Sequence, residues 1–201
     1  MNSKINIAVF VSGSGTNLQA IIDAKIELAN LAVVVCNKPD AYAITRAEKN
    51  NIPVELVNHK DFETREDFEK EIIGRIDKYN IKLIVLAGFM RVLSPYLVRK
   101  FKNRIINLHP ALLPSFPGIR AAKLALDYGV KYTGCTVHFV DEGVDTGPII
   151  LQSVVPIADD DTEETLLEKL HREEHRIYPE AVRLFCEGRL GIKGRRVFLN
   201  G

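Results

Sequence analysis

The stretch NRIINLHPALLPSFPG, residues 103–118, carries Asn107 and His109 two positions apart at the end of an apolar run. Residues i and i+2 of a strand share a face. The amide and the imidazole therefore project together where the strand gives out into a proline-rich loop. An amide N–H can donate to a developing oxyanion, and an imidazole near neutral pH is an acid, a base or a cationic donor. Such a pair suits acyl chemistry with proton transfer. No G-x-S-x-G is present, and Ser115 lies on the far side of Pro114, so direct transfer between bound substrates fits better than a covalent serine route. On the pair alone, the plainer reading is preferred: two side chains satisfying loop backbone at a strand end.

Three other stretches bear on chemistry. DEGVDTGP, residues 141–148, sets three acids between two predicted strands. Turns collect Asp and Gly without catalytic purpose. If this loop folds over the same sheet edge, one Asp meets His109 and favours the imidazolium. SGSGTNLQA, residues 12–20, follows a predicted strand and opens a helix, where free N–H groups and the helix dipole suit one phosphate. Leu18 stands where a dinucleotide fingerprint needs its third glycine, there is no Walker lysine, and CNKPD offers no clear acid for a ribose. A plain turn with Ser14 or Thr16 as helix N-cap remains an equal reading. HREEH, residues 171–175, matches the H-x-x-E-H pattern of inverted zinc proteases. A catalytic zinc needs a third ligand. Only Glu180 and Glu187 follow, both in the same helical region, so a charged, solvated helix face is preferred. His138, flanked by apolar neighbours in TVHFV, reads as packing or a structural hydrogen bond, and His59 as surface loop.

The elements that must position these residues alternate in the first half. KINIAVFVS, NLAVVVCN, PVELVN, KLIVLAG and RIINLH read as strands. TNLQAIIDAKIEL, AYAITRAEKNN and TREDFEKEIIGRIDKYN read as helices, the last with Phe68, Ile72, Ile76 and Tyr79 on one stripe. Near-continuous Val/Ile/Leu runs mark strands buried on both faces. The expected fold is α/β, a doubly wound, mostly parallel twisted sheet of Rossmann-like type. After Gly118 the pattern changes. RAAKLALDYG is helical, TGCTVHFV and PIILQSVVP suit an antiparallel pair, and a long helix runs from Asp161 to about Glu187 with a kink expected at Pro179. LGIKGRRVFLNG closes as a hairpin. One domain over 1–201 is expected, with functional halves of about 1–100 and 101–201.

Bulk composition agrees with a globular protein and narrows its partners. The chain has 201 residues, 46% hydrophobic, with net charge +1. Nothing in that balance suggests a nucleic-acid or membrane surface, and no run of 18 apolar residues occurs. The N-terminus reads as a first strand rather than a signal peptide. Cys36, Cys135 and Cys186 fit neither a disulfide framework nor a zinc site, which places the chain in the cytoplasm.

In combination, SGSGTNLQAII, LAGFMRVLSP, NLHPALLPSFPG, GCTVHFVDEGVDTGPIILQ and EEHRIYPEAV resemble the phosphoribosylglycinamide formyltransferases, in order from about Ile5 to Gly201. NLHPALLP alone marks only the wider folate-dependent formyltransferase family. The resemblance implies transfer of a formyl group from 10-formyltetrahydrofolate, as co-substrate, to the amine of glycinamide ribonucleotide in de novo purine synthesis. It implies Asn107, His109 and Asp145 as the catalytic trio. It implies the ribonucleotide phosphate on Gly15, Thr16 and Asn17, and the ribose near Glu174. Folate contacts would fall on Arg65, Met90, Arg91, Val92, Leu93 and Asn107, with Val140, Asp141, Glu142, Gly143 and Val144 lining the pterin pocket mainly through backbone. No metal is implied, and a homodimer is compatible. Ser14 and Thr16 depart from some relatives but keep a small polar turn, whereas Ala121 and Ala122 replace more polar residues. A methionyl-tRNA formyltransferase would bring a basic C-terminal domain, and a formyltetrahydrofolate hydrolase an N-terminal regulatory one. A non-catalytic phosphate- or folate-binding module is the reading from another class.

Overall fold

The computed structural model describes residues 4–200 and divides into two compact units, 1–106 and 107–201. In the first unit, β1 (Ile5–Val11), β2 (Ala29–Cys36), β3 (Val54–Leu56) and β4 (Leu83–Leu86) lie in the order β3-β2-β1-β4, and the start of β5 (Ile105–His109) follows β4. β1 pairs in parallel with both β2 and β4, and β2 with β3. Ile7–Val11, Val33–Cys36 and Leu83–Val85 are 0% exposed. Strands buried on both faces need cover on both sides, as the unbroken apolar runs predict.

That cover comes from α1 (Thr16–Asp23), α2 (Tyr42–Lys49), α3 (Arg65–Ile76) and α4 (Pro95–Lys100). α3 buries Phe68, Ile72 and Ile76, three members of the expected stripe. α1 is shorter than its apolar spacing predicts. Lys25 turns left-handed, and the Leu28 carbonyl already accepts from Ile5 N–H at 2.8 Å. The chain must leave the helix to enter β2. α4, which apolar spacing alone leaves unassigned, is one short turn and a half, capped by the Ser94 side chain with Pro95 opening it.

In the second unit the end of β5 is followed by α5 (Ala121–Tyr128), β6 (Tyr132–Phe139), β7 (Ile149–Pro156), α6 (Glu163–Cys186), β8 (Leu190–Lys193) and β9 (Arg196–Leu199). The strand order is β5-β6-β7-β9-β8, with β6–β7 and β8–β9 antiparallel, as expected. α6 begins in a capping box between Thr162 and Thr165 and continues through Pro179 as one 24-residue helix. Its Leu166 and Leu170 pack with Ala122 and Val155 into a core cluster. Among the described residues no helix is long and apolar enough to cross a membrane.

Candidate active site

The catalytic candidates meet in the second unit, around one carboxylate. Asn107 and His109 end β5, and His109 is 3% exposed. The loop between β6 and β7 carries Asp145 in a left-handed conformation, φ 55°. Asp145 Oδ2 lies 3.3 Å from His109 Nδ1 and accepts from Gly118 N–H at 2.8 Å. Its Oδ1 lies 3.4 Å from Asn107 Nδ2. Two side chains two residues apart on one strand thus reach the two oxygens of one acid.

The loop that presents Asp145 is tightly built. Asp141 Oδ1 accepts from Gly143 N–H at 3.1 Å and from Thr146 Oγ1 at 2.6 Å. Phe139 N–H donates to the Pro148 carbonyl at 2.9 Å, closing the base. A Cβ on Gly147 would stand 1.7 Å from the Phe139 carbonyl oxygen, so only glycine fits there.

His138 belongs to the same cluster, where it makes the structural hydrogen bonds that were one of its two expected roles. The β6–β7 register skips Ile150 at this point, pairing Val137 with Leu151 but His138 with Ile149. A bulge re-aims side chains beside it. His138 Nε2 lies 3.3 Å from Asn107 Nδ2 and 3.6 Å from Asp145 Oδ1, while Nδ1 lies 2.9 Å from the Phe139 carbonyl. A carbonyl only accepts, so Nδ1 carries a proton. When the ring is neutral, Nε2 accepts from Asn107; when it is charged, Nε2 faces the acid as a donor. Burial pushes the Asp145 carboxyl up, but His138, the Gly118 N–H and His109 outweigh it and hold the group below the usual carboxylate range.

His109 is fully engaged. Its Nε2 lies 2.8 Å from the Phe116 carbonyl, and its Nδ1 faces Asp145. Both partners accept only, so each ring nitrogen faces an acceptor. The loop carrying Phe116 and Gly118 is pinned by Thr136, whose hydroxyl donates to the Ala111 carbonyl at 2.7 Å and accepts from Leu113 N–H at 3.1 Å. Phe116, Gly118 and Arg120 all have positive φ. Sequence spacing carries no sign of these backbone partners.

The other predicted residues lie on separate elements. In the first unit the Gly13–Gly15 turn precedes α1, whose N-cap is Gly15 at φ 72° with no side-chain cap. The expected cap by Ser14 or Thr16 is therefore replaced by a left-handed glycine. Thr16 and Asn17 open the helix, whose N-terminal N–H groups and dipole favour an anion. A Cβ on Gly15 would come within 2.7 Å of Ala43 Cβ. Gly15→Ala is expected to destabilise the protein by about 2 kcal/mol, the scale of left-handed strain plus overpacking. An unchanged urea midpoint would contradict this.

Arg65 is the first residue of α3. Met90 and Val92 are exposed, whereas Leu93 is buried. This segment is fixed at both ends: Met90 N–H donates to Ser12 Oγ at 2.9 Å, and Ser94 donates to the buried Glu69 carboxylate through its N–H at 2.7 Å and through its hydroxyl. Val140 and Asp141 are half-buried, and Glu142, Gly143 and Val144 are exposed at the tip of the β6–β7 loop. Glu174 is buried on α6. His171 and His175 stack with ring planes 8° apart. Among the described residues no three His, Cys, Asp or Glu side chains gather as metal ligands would.

The fold and this cluster define a doubly wound α/β protein with an acid–imidazole–amide centre at strand ends, where such sheets bind ligands. The sequence profile of the formyl transferase family matches residues 5–182, and the chain belongs to that family. The phosphoribosylglycinamide formyltransferase of Escherichia coli K12 is 40% identical over 98% of this chain and 94% of that enzyme. The trifunctional purine biosynthetic protein adenosine-3 of Drosophila melanogaster is 46% identical over 90% of this chain, which spans only 14% of that protein. The crystal structure of glycinamide ribonucleotide transformylase 1 from Symbiobacterium toebii superposes with a TM-score of 0.97 at 46% identity, covering 100% of this chain and 96% of that one. The α/β expectation is borne out by that likeness.

Proposed function

We propose that the chain transfers the formyl group of 10-formyltetrahydrofolate to the amine of glycinamide ribonucleotide, a cytoplasmic step of purine synthesis. The Asp145 carboxylate, within 3.3 Å of His109 and 3.4 Å of Asn107, is the observation that carries this reading. The amine attacks the formyl carbon, and the carbonyl oxygen becomes an oxyanion. Asn107 Nδ2 and the His109 imidazolium donate to it, an interaction present only once charge develops. The 3.3 and 3.4 Å contacts of Asn107 Nδ2 are long and easily exchanged for such an acceptor. The intermediate then collapses: the bond from the formyl carbon to N10 breaks, and His109 gives its proton to N10 of the departing tetrahydrofolate. Asp145, which favours the charged imidazole, relays the proton lost by the amine back to the ring. Gly15, Thr16 and Asn17 hold the phosphate, and Glu174 the ribose hydroxyls. Arg65, Met90–Leu93 and the 140–144 loop hold the folate.

The test is an absorbance assay of 10-formyltetrahydrofolate turnover with and without glycinamide ribonucleotide. Turnover that requires the ribonucleotide and yields its formylated product supports the proposal, and ribonucleotide-independent turnover would reassign the chain as a hydrolase. Glu174→Ala is expected to raise KM for the ribonucleotide roughly tenfold or more, the scale of a lost charged hydrogen bond, with little change for the folate. Equal losses for both substrates would remove Glu174 from the ribose site.

A further inference from the structure

Glu69 is a buried acid with no part in the chemistry above. It lies on α3 among the inward-facing Phe68, Ile72 and Ile76, and is 1% exposed. Taking a carboxylate out of water is costly unless donors replace the solvent. Among the described residues its donors are the two groups of Ser94: the N–H reaches Oε1 at 2.7 Å, and the hydroxyl reaches Oε2. Burial pushes the carboxyl above its ordinary value, despite those donors and the charge of Arg65 one helical turn earlier.

Neither packing nor capping calls for an acid here. An apolar residue would serve the buried face of α3. The Ser94 hydroxyl oxygen caps α4 by accepting from Leu97 N–H at 3.4 Å, and a serine cap needs no carboxylate behind it. What Glu69 adds is a tether from α3 to the segment that joins β4 to α4.

That segment, residues 87–94, has no regular structure and is anchored at two places. Near its start Phe89, 8% exposed, stacks on Phe68 at 6.5 Å and meets Phe10 edge-on at 5.4 Å, and Met90 N–H is bonded to the buried Ser12 hydroxyl. At its far end stands the Glu69–Ser94 pair. Between the anchors Met90 and Val92 are 70% and 53% exposed. The backbone groups of Arg91, Val92 and Leu93 have no hydrogen-bond partner among the described residues. A strip of chain without internal bonds keeps one shape only if its ends are fixed, since each free residue otherwise regains conformational entropy. Residues 90–93 are the strip assigned above to the folate.

We propose that Glu69 is a positioning residue for the folate site: by holding Ser94, its carboxylate fixes residues 90–93 in the shape that receives the co-substrate. This role rests on the function proposed above. A segment that is in its binding shape only part of the time lowers the apparent affinity by that fraction. The loss falls on the folate, because the ribonucleotide is assigned to other residues.

The experiment compares the wild type with Glu69→Ala and Glu69→Gln, each shown to be folded by its melt. Each is titrated calorimetrically with 10-formyltetrahydrofolate alone and then assayed with both substrates. Glu69→Ala is expected to raise Kd and KM for the folate about tenfold or more, with KM for the ribonucleotide and kcat at saturation within about twofold of the wild type. Glu69→Gln should restore folate binding, because its carbonyl accepts from the Ser94 N–H while its NH2 donates to the Ser94 hydroxyl oxygen. Unchanged folate affinity in Glu69→Ala overturns the proposal. So does an equal rise in both KM values, or a fall in kcat alone, each the mark of a merely structural loss. Glu69→Gln as impaired as Glu69→Ala also overturns it, because the tether to Ser94 would then not be what matters. The two readings fail differently. A wild type that does not bind the folate removes the functional reading and this role with it, whereas wild-type binding matched by Glu69→Ala strikes only the role of Glu69.

Discussion

Asp145→Asn should lower turnover at least about a hundredfold, the scale of losing an acid–base or oxyanion-supporting group. The carboxylate has two accepting oxygens. One takes the Gly118 N–H and faces His109, and the other faces Asn107 and His138. An amide of the same shape keeps one acceptor and turns an NH2 on the remaining donors. Facing His109, it removes the carboxylate that lies against Nδ1; facing Asn107, it repels the amide proposed to hold the oxyanion. Either placement strikes the transition state more than the ground state, so kcat should fall far more than KM rises.

The same substitution has a pH signature. The Asp145 carboxyl sits below its ordinary value, because its histidines and the Gly118 N–H outweigh burial. A depressed carboxyl contributes stability above its unfolded pKa. That contribution is lost as pH falls through the lowered folded value. Acid melts of the wild type should therefore lose stability in this range that Asp145→Asn never had. A near-normal rate in the variant, or acid melts of identical slope, would remove Asp145 from the centre of the site.

The sequence shows the sheet more clearly than the caps and the bulge. Strands such as Val33–Cys36 are legible because burial on both faces leaves only apolar residues. The Asn107–His109 pair is legible because strand period alone puts both on one face. Helix ends are less visible. The apolar spacing that suggests a helix past Asp23 continues through Ile26 and Leu28, yet those residues turn the chain into β2. Gly15 caps α1 by conformation rather than by a side chain, which no Ser or Thr preference signals. The hydrogen bonding of His138 is legible as one of two roles, but its place beside Asp145 is not, because strand alternation ignores the skipped register that sets it there. The backbone groups of Phe116 and Gly118 have no residue-type signature at all; any side chain supplies the same carbonyl or N–H. The side chains that meet in the cluster were legible by type, whereas the backbone groups that aim them emerge only from tertiary structure.

His109→Ala tests whether that aiming is catalytic. The ring nitrogen Nε2 is bonded to the Phe116 carbonyl at 2.8 Å, so it donates to substrate only by exchanging that partner. The resting bond acts as a placeholder: it keeps the proton on Nε2 and the ring plane fixed while Asp145 holds the opposite edge. Removing the ring leaves a carbonyl and a carboxylate oxygen short of a donor, a cost of about 1–3 kcal/mol. Lost stability alone would lower the folded fraction and leave kcat per folded molecule intact. Lost proton donation lowers kcat itself, by an expected hundredfold or more. Measuring kcat on protein shown to be folded by its melt separates the two. His109→Asn sharpens the contrast, since an amide can donate to the Phe116 carbonyl and restore stability but has no titratable proton to give. Recovery of the melt without recovery of kcat would assign His109 to the chemistry, whereas recovery of both would make it a structural strut.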